Sequence, residues 1–168
     1  MKTEYLLNKE VERVLGCLTE ENRVVCKVIL HTGLRIGDVL KLRRDEIKEQ
    51  FWITEEKTGK RRRVGLTREL LREMRALSGS EWVFEHRTQH KKHRTRQAVY
   101  ADVKRAAKAY RLKQNVAPHS FRKAYAVELL EKYGDIERVK RALNHNSVAT
   151  TTIYALADRL LEAKKKKK

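Results

Sequence analysis

The chain has 168 residues, and its 40 Lys and Arg against 22 Asp and Glu give a net charge of +18. A folded domain this basic repels itself, and a polyanion is the usual partner that offsets such a charge. The five lysines at 164–168 supply only five of the eighteen net charges, so the body of the protein is itself basic.

Several classes of protein are excluded by composition. Apolar residues make up 40% of the chain and are spread along it, which favours a packed core over a disordered basic segment. No stretch approaches the roughly 20 apolar residues of a membrane span, and no signal peptide is evident. Two isolated cysteines are too few for a disulfide framework. We therefore expect an intracellular, cytoplasmic protein with nucleic acid as its leading partner, and not a secreted, transmembrane or collagen-like one.

Helices are predicted for the first forty residues. Apolar residues at helical spacing indicate helices over 8–18, 20–32 and 36–40. Asn8 can cap the first of these helices, and Gly33 is a typical stop for the second.

A β-hairpin is predicted next. Residues 47–53 are typical of a strand, 56–60 of a turn and 61–66 of the returning strand.

The second half of the chain is predicted to be helical, with a capping residue at each helix start. The caps are Thr67, Thr95, Ser120 and Asp135, and Gly134 stops the helix that Ser120 begins. A turn or short helix then reaches position 154.

These elements predict a single domain. The fold class is mainly α with a small antiparallel β-hairpin, because no linker is long enough to separate two domains. We expect this domain to span residues 1–163 and a basic lysine tail to follow at 164–168.

Six basic or nucleophilic residues stand at the ends of predicted elements, where side chains are easily presented to a ligand. In chain order they are Arg35, Lys57, His119, Arg122, His145 and Tyr154. Taken singly, each has an ordinary explanation. A helix-terminal arginine often makes a surface ion pair, and a tyrosine near a helix end often packs with its hydroxyl in water.

Together, the motifs around these residues resemble the catalytic domain of tyrosine recombinases, the phage integrase family. The motifs are HTGLRIGDVLKL at 31–42, KTGK at 57–60, PHSFR at 118–122 and LNHNS at 143–147 followed by TTIY at 151–154. Family members carry Arg, Lys, His-x-x-Arg, His or Trp, and Tyr in this order. The nine-residue spacing from His145 to Tyr154 is also the family's. The resemblance extends from about Asn8 to Leu161 and implies the DNA breaking-rejoining fold.

The sequence departs from the family pattern at a few positions. Phe121 replaces the usual Leu, and Asn144 replaces the usual Gly. Asp38 stands where members carry an acid that supports the first arginine. Typical members also have an amino-terminal DNA-binding domain, so we expect either an excised domain or one of the short family members.

The residue types suit phosphodiester chemistry, and the resemblance implies a role for each. Arg35 and Arg122 would bind the non-bridging oxygens of the scissile phosphate, since guanidinium groups bind such oxygens bidentately. His119 and His145 would donate hydrogen bonds to the transition state.

The remaining roles concern bond making and proton transfer. Lys57 would protonate the departing 5′ oxygen, and Tyr154 would be the nucleophile, with His119 able to accept its proton. No metal, nucleotide or small-molecule cofactor is expected, because the sequence has no glycine-rich phosphate loop and no clustered carboxylates.

Two further groups of cations are predicted to contact the DNA backbone. They are Lys60, Arg61, Arg62 and Arg63 on the hairpin, and Arg87, Lys91, Lys92, Arg94 and Arg96 in the basic loop over 86–96. Three histidines in that loop, at 86, 90 and 93, leave a metal site as an alternative, but neighbouring cations oppose Zn²⁺ and no cysteine joins them.

The favoured interpretation is a site-specific recombinase of the integrase type that acts on double-stranded DNA through a 3′-phosphotyrosyl intermediate. The resemblance implies a homotetramer on two duplexes, with the last helix, over 155–163, contacting a neighbour. A module that only binds DNA and a topoisomerase-like nicking-closing enzyme are the alternatives.

Overall fold

The computed structural model of the chain describes Leu6 and residues 8–143. The predictions for His145, Tyr154, the helix over 155–163 and the lysine tail lie outside the described residues.

The described residues are mainly helical, with one two-stranded antiparallel sheet, as predicted. The elements are α1 (Asn8–Gly16), α2 (Glu20–Thr32), α3 (Ile36–Leu40), β1 (Gln50–Thr54), β2 (Arg61–Gly65), α4 (Arg68–Leu77), α5 (Arg96–Ala109), α6 (Pro118–Tyr133) and α7 (Ile136–Leu143). Within this part of the chain, no helix has the length and apolar character needed to cross a membrane.

Helix α2 lies at the centre of the packing. It contacts α1, α3, α4 and α6, and its apolar residues Val24, Val25, Val28 and Ile29 are buried. A second, smaller apolar cluster joins α6 to α7. The main core therefore fixes the end of α2, where the chain turns towards Arg35, relative to the start of α6.

Of the four helix caps predicted in the second half of the chain, three are confirmed. The hydroxyls of Thr67 and Thr95 accept hydrogen bonds from backbone N–H groups three residues later, both at 3.2 Å. The carboxylate of Asp135 accepts one from the N–H of Arg138 at 3.1 Å.

The expected cap at Ser120 is wrong. The cap position of α6 is Ala117, so the helix begins at Pro118, because proline lacks the N–H that a first helical position leaves unbonded. Ser120 lies inside the first turn, and its hydroxyl accepts a hydrogen bond from the N–H of Ala117 at 3.2 Å. The first helix also ends earlier than predicted, at Gly16 instead of residue 18.

The hairpin begins later than predicted. Strand pairing starts at Gln50, opposite Gly65, so Ile47 is buried in the core but unpaired in the sheet. Alternation along β2 turns successive side chains to opposite faces. Trp52 pairs with Arg63 on the outer face, and the position of Arg62 faces the fold.

Candidate active site

Four of the predicted catalytic residues line one cleft. The cleft has a volume of about 600 Å³ and lies between the α2–α3 junction, the hairpin turn, α5 and the start of α6. The four are Arg35, Lys57, His119 and Arg122. They come from three separate segments of the chain, and only the tertiary fold brings them together.

Arg35 reaches the cleft because helix α2 ends abruptly at Gly33. Gly33 has a left-handed φ of 66°, and its N–H donates to the carbonyl of Ile29 at 2.8 Å. A residue with a side chain adopts this conformation only at a cost. Arg35 then precedes the first residue of α3, and its guanidinium donates to Glu55 Oε2 at 2.6 Å.

Arg122 lines the cleft and also connects two parts of the fold. Its residue surface is only 2% exposed. One terminal nitrogen donates to the carbonyl of Gly33, and the other donates to the carbonyl of Leu143 at 2.8 Å. Burial and the charge of Arg35 lower the pKa of Arg122 to about 10, so it stays protonated at neutral pH.

His119 is neutral at physiological pH. Partial burial of the imidazole, followed by the charges of Lys123, Arg122, Arg35 and Lys57, lowers its pKa to about 4, although the residue as a whole remains exposed. Imidazolium is disfavoured because four cations lie nearby. A neutral ring can accept a proton or donate one hydrogen bond.

Lys57 is exposed in the turn between the strands, as predicted. The residue before it, Glu56, is hydrogen-bonded through its backbone N–H to Asp38 Oδ1 at 2.9 Å. Burial raises the pKa of Asp38, and this hydrogen bond opposes the rise.

The expectation that Asp38 is the acid supporting Arg35 is corrected by these contacts. The ion-pair partner of Arg35 is Glu55, which the sequence interpretation missed. Asp38 contributes its charge nearby, but its hydrogen bond goes to the hairpin turn.

Helix α5 adds two residues to the cleft. Arg96, predicted as a DNA contact, lies against Gly37 and donates to Glu56 Oε2 at 3.1 Å. Tyr100 was missed, although its position one turn after Arg96 on the same helix was an available signal.

The predicted DNA-contact residues divide into two groups. Most are exposed on the hairpin or on the basic loop: Lys60, Arg61, Arg63, Arg87, Lys91, Lys92 and Arg96. Arg62 and Arg94 instead make contacts inside the fold. Arg62 donates to the carbonyl of Thr32, and Arg94 donates to Asn22 Oδ1 at 2.6 Å.

The three loop histidines have separate neighbours. His86 accepts from backbone N–H groups at 3.3 Å, His90 lies 3.1 Å from Glu85, and His93 lies 2.8 Å from the carbonyl of Arg94. Among residues 6 and 8–143, no group of three His, Cys, Asp or Glu side chains could hold a metal ion.

A helical domain with one hairpin and this cationic cleft has the fold of tyrosine recombinase catalytic domains. The crystal structure of the XerA recombinase matches it with a TM-score of 0.76 at 20% identity, covering 96% of this chain and 63% of that one. A lambda integrase tetramer bound to a Holliday junction matches with a TM-score of 0.72 at 19% identity, covering 91% of this chain and 48% of that one. At such identities the likeness concerns the fold alone.

A model of the phage integrase family matches residues 4–159, and the chain belongs to that family. A tyrosine recombinase of Thermosipho africanus is 29% identical over 162 residues, which cover 90% of this chain and 56% of the relative. The chain spans about half the length of this relative and of three other curated relatives, between 49% and 56%.

Proposed function

We propose that the chain is the catalytic domain of a site-specific tyrosine recombinase that cleaves and rejoins DNA strands. The observation that carries this proposal is the convergence of Arg35, Lys57, His119 and Arg122 on one cleft. These four types supply what a phosphodiester needs: cations for its charge, a proton acceptor and a proton donor.

In the proposed reaction, the Tyr154 oxygen attacks the scissile phosphorus and the bond from phosphorus to the 5′ oxygen breaks. His119 accepts the tyrosine proton, since its lowered pKa leaves the imidazole neutral with a ring nitrogen free to accept. Lys57 gives a proton to the departing 5′ oxygen. A 5′ hydroxyl then attacks the phosphotyrosine, the same steps run in reverse, and the tyrosine is released.

Arg35 and Arg122 would stabilise the negative charge that builds on the non-bridging oxygens. Arg122 remains protonated at neutral pH, because its pKa is lowered only to about 10. His145 is proposed as a further donor to the same oxygens.

Double-stranded DNA is the proposed substrate, and the exposed cations of the hairpin and basic loop are the proposed contacts to its backbone. A homotetramer is the proposed working assembly; the structural neighbour on a Holliday junction, a tetramer, is consistent with it. The chain spans about half the length of those four curated relatives, so complete recombination activity is also part of this proposal.

The test uses DNA duplexes that carry a nick beside the cleavage position. The short fragment released by cleavage then diffuses away, so the covalent adduct accumulates. In buffer with EDTA, the wild type should give an adduct that survives denaturation, and Tyr154→Phe should give none. Tyr133→Phe is the matched control, because Tyr133 is an exposed tyrosine at the end of α6. If the wild type yields no adduct on its cognate site, or Tyr154→Phe equals it, the proposal is wrong. Relaxed supercoils without exchange products would favour a nicking-closing enzyme.

A further inference from the structure

Glu55 is a fully buried carboxylate that the proposed reaction does not use. Its residue surface is 0% exposed, at the point where β1 ends and the turn begins. Burial alone would raise its pKa, but the hydrogen bond and charge of Arg35, the hydroxyl of Thr58 and the charge of Arg62 together lower it. Glu55 is therefore an anion among arginines.

One oxygen of this carboxylate accepts from two segments of the chain. Glu55 Oε2 accepts from Arg35 at 2.6 Å and from the Thr58 hydroxyl at 3.1 Å. The other oxygen, Oε1, lies 3.5 Å from Arg62 on the returning strand. The α2–α3 junction and the hairpin turn thus share a single acceptor atom.

Lys57 lies between two residues that are both fixed by hydrogen bonds to buried carboxylates. Thr58, after it, donates to Glu55, and Glu56, before it, donates its backbone N–H to Asp38 at 2.9 Å. The backbone of Glu55 also closes the turn, since its carbonyl accepts from the N–H of Gly59 at 2.8 Å. An exposed lysine on an exposed turn would otherwise have many positions available.

We propose that Glu55 is a positioning residue that fixes the Lys57 turn relative to Arg35 through the oxygen shared by Arg35 and Thr58. The inference rests on the proposed function, in which Arg35 holds the phosphate and Lys57 protonates its leaving group. Both must meet one phosphate, and a displacement of about 1 Å can lower such a rate by about 100-fold.

Two variants test this role. Glu55→Gln removes the charge and keeps the shape. Thr58→Val removes the hydroxyl of a half-buried side chain, with its bond to Glu55 and a longer one of 3.4 Å from the Lys60 N–H, and keeps the Arg35–Glu55 ion pair. The matched control is Glu73→Gln, which breaks a 2.9 Å ion pair with Lys27 away from the cleft.

The first measurement is the rate of adduct formation at saturating DNA, together with the DNA concentration for half saturation. We expect Glu55→Gln to lower the rate about 10–100-fold and Thr58→Val about 10-fold, with half saturation changed less than about threefold. If only the DNA concentration for half saturation changes, or if the rates equal those of the wild type, the positioning role of Glu55 is overturned.

The second measurement replaces the 5′ bridging oxygen of the substrate by sulfur. A thiolate leaves without a proton, so the reaction no longer needs Lys57 as an acid. Thr58→Val should then react within about twofold of the wild type. A tenfold deficit that persists on the sulfur substrate would contradict an effect through Lys57.

The third measurement needs no DNA and separates this inference from the proposed function. Backbone order parameters of Lys57 and Thr58 in the unliganded protein should fall from about 0.85, typical of rigid backbone, to about 0.6 or below in both variants. The Glu73→Gln protein should keep the wild-type values. Unchanged values at Lys57 in both variants would overturn the inference, whether or not the protein cleaves DNA.

Discussion

Replacement of Gly33 by alanine should destabilise the fold more than the same change at another helix end. The φ angles of Gly33 and Gly134 are both 66°, and each glycine ends a helix. They differ in what surrounds them. A Cβ on Gly33 would lie 2.4 Å from the ring of Tyr125, whereas a Cβ on Gly134 would meet no atom within 4 Å.

The magnitude follows from two contributions. The left-handed backbone costs alanine about 1 kcal/mol at either position. The clash with Tyr125 adds about 1–3 kcal/mol at Gly33 alone, the usual cost of overpacking. We therefore expect a loss of about 2–4 kcal/mol for Gly33→Ala and about 1 kcal/mol for Gly134→Ala.

Urea unfolding measures this difference. With a slope on the order of 2 kcal/mol/M, the midpoint of Gly33→Ala should lie about 0.5–1.5 M below that of Gly134→Ala. In a Tyr125→Ala background, where the ring is absent and the remaining close atom is Leu143 Cδ2 at 3.2 Å, the cost of Gly33→Ala should fall close to that of Gly134→Ala. Equal midpoints for the two single variants in the wild-type background would refute the argument from contact.

Three further predictions concern charge. Replacing exposed Arg61 and Arg63 together by Gln should reduce the slope of log K against log salt for random duplex by about 2, because two phosphate contacts are lost. Arg62→Gln should instead leave that slope unchanged and lower the stability of the fold. Equal slopes for the double variant and the wild type would contradict the division of the hairpin into two faces. The carboxylate of Asp102 accepts hydrogen bonds from Thr19 at 2.9 Å, Asn22 at 2.7 Å and Arg105 at 3.0 Å. Asp102→Asn should lower the free energy of unfolding by about 2–3 kcal/mol and leave the adduct yield per folded molecule unchanged. A urea midpoint equal to the wild type would show that these bonds contribute nothing net. The pKa of His119 is about 4 in the folded protein and ordinary in the unfolded chain. The unfolded chain therefore binds more protons between pH 4 and about 6.5, and the stability of the fold should fall as pH falls through that window. His119→Gln should lose less stability than the wild type between pH 7 and pH 5, and equal losses would refute the lowered pKa.

Local chemistry made much of the fold predictable. The bounds of α2 and its stop at Gly33 follow from apolar spacing and from the conformational freedom of glycine. Thr67 and Thr95 cap helices because their hydroxyls reach nearby N–H groups, which needs no knowledge of the rest of the chain. Pro118 could have corrected the start of α6, since proline is typical of a first helical position.

The cleft was harder to predict because its contacts span distant parts of the sequence. The partner of Arg35 depends on how the hairpin packs against α3, and two acids, Asp38 and Glu55, were within reach. Spacing alone could not choose between them. Arg62 is different, because strict alternation along β2 already places it opposite to Arg61 and Arg63.

The central claim concerns the atom that becomes joined to DNA. The most direct test is to digest the denatured adduct with protease and nuclease and to identify the nucleotide-bearing residue by mass spectrometry. The account predicts a single modified residue, Tyr154, carrying a 3′-linked nucleotide. A nucleotide on another residue, or one linked through its 5′ end, would contradict the account.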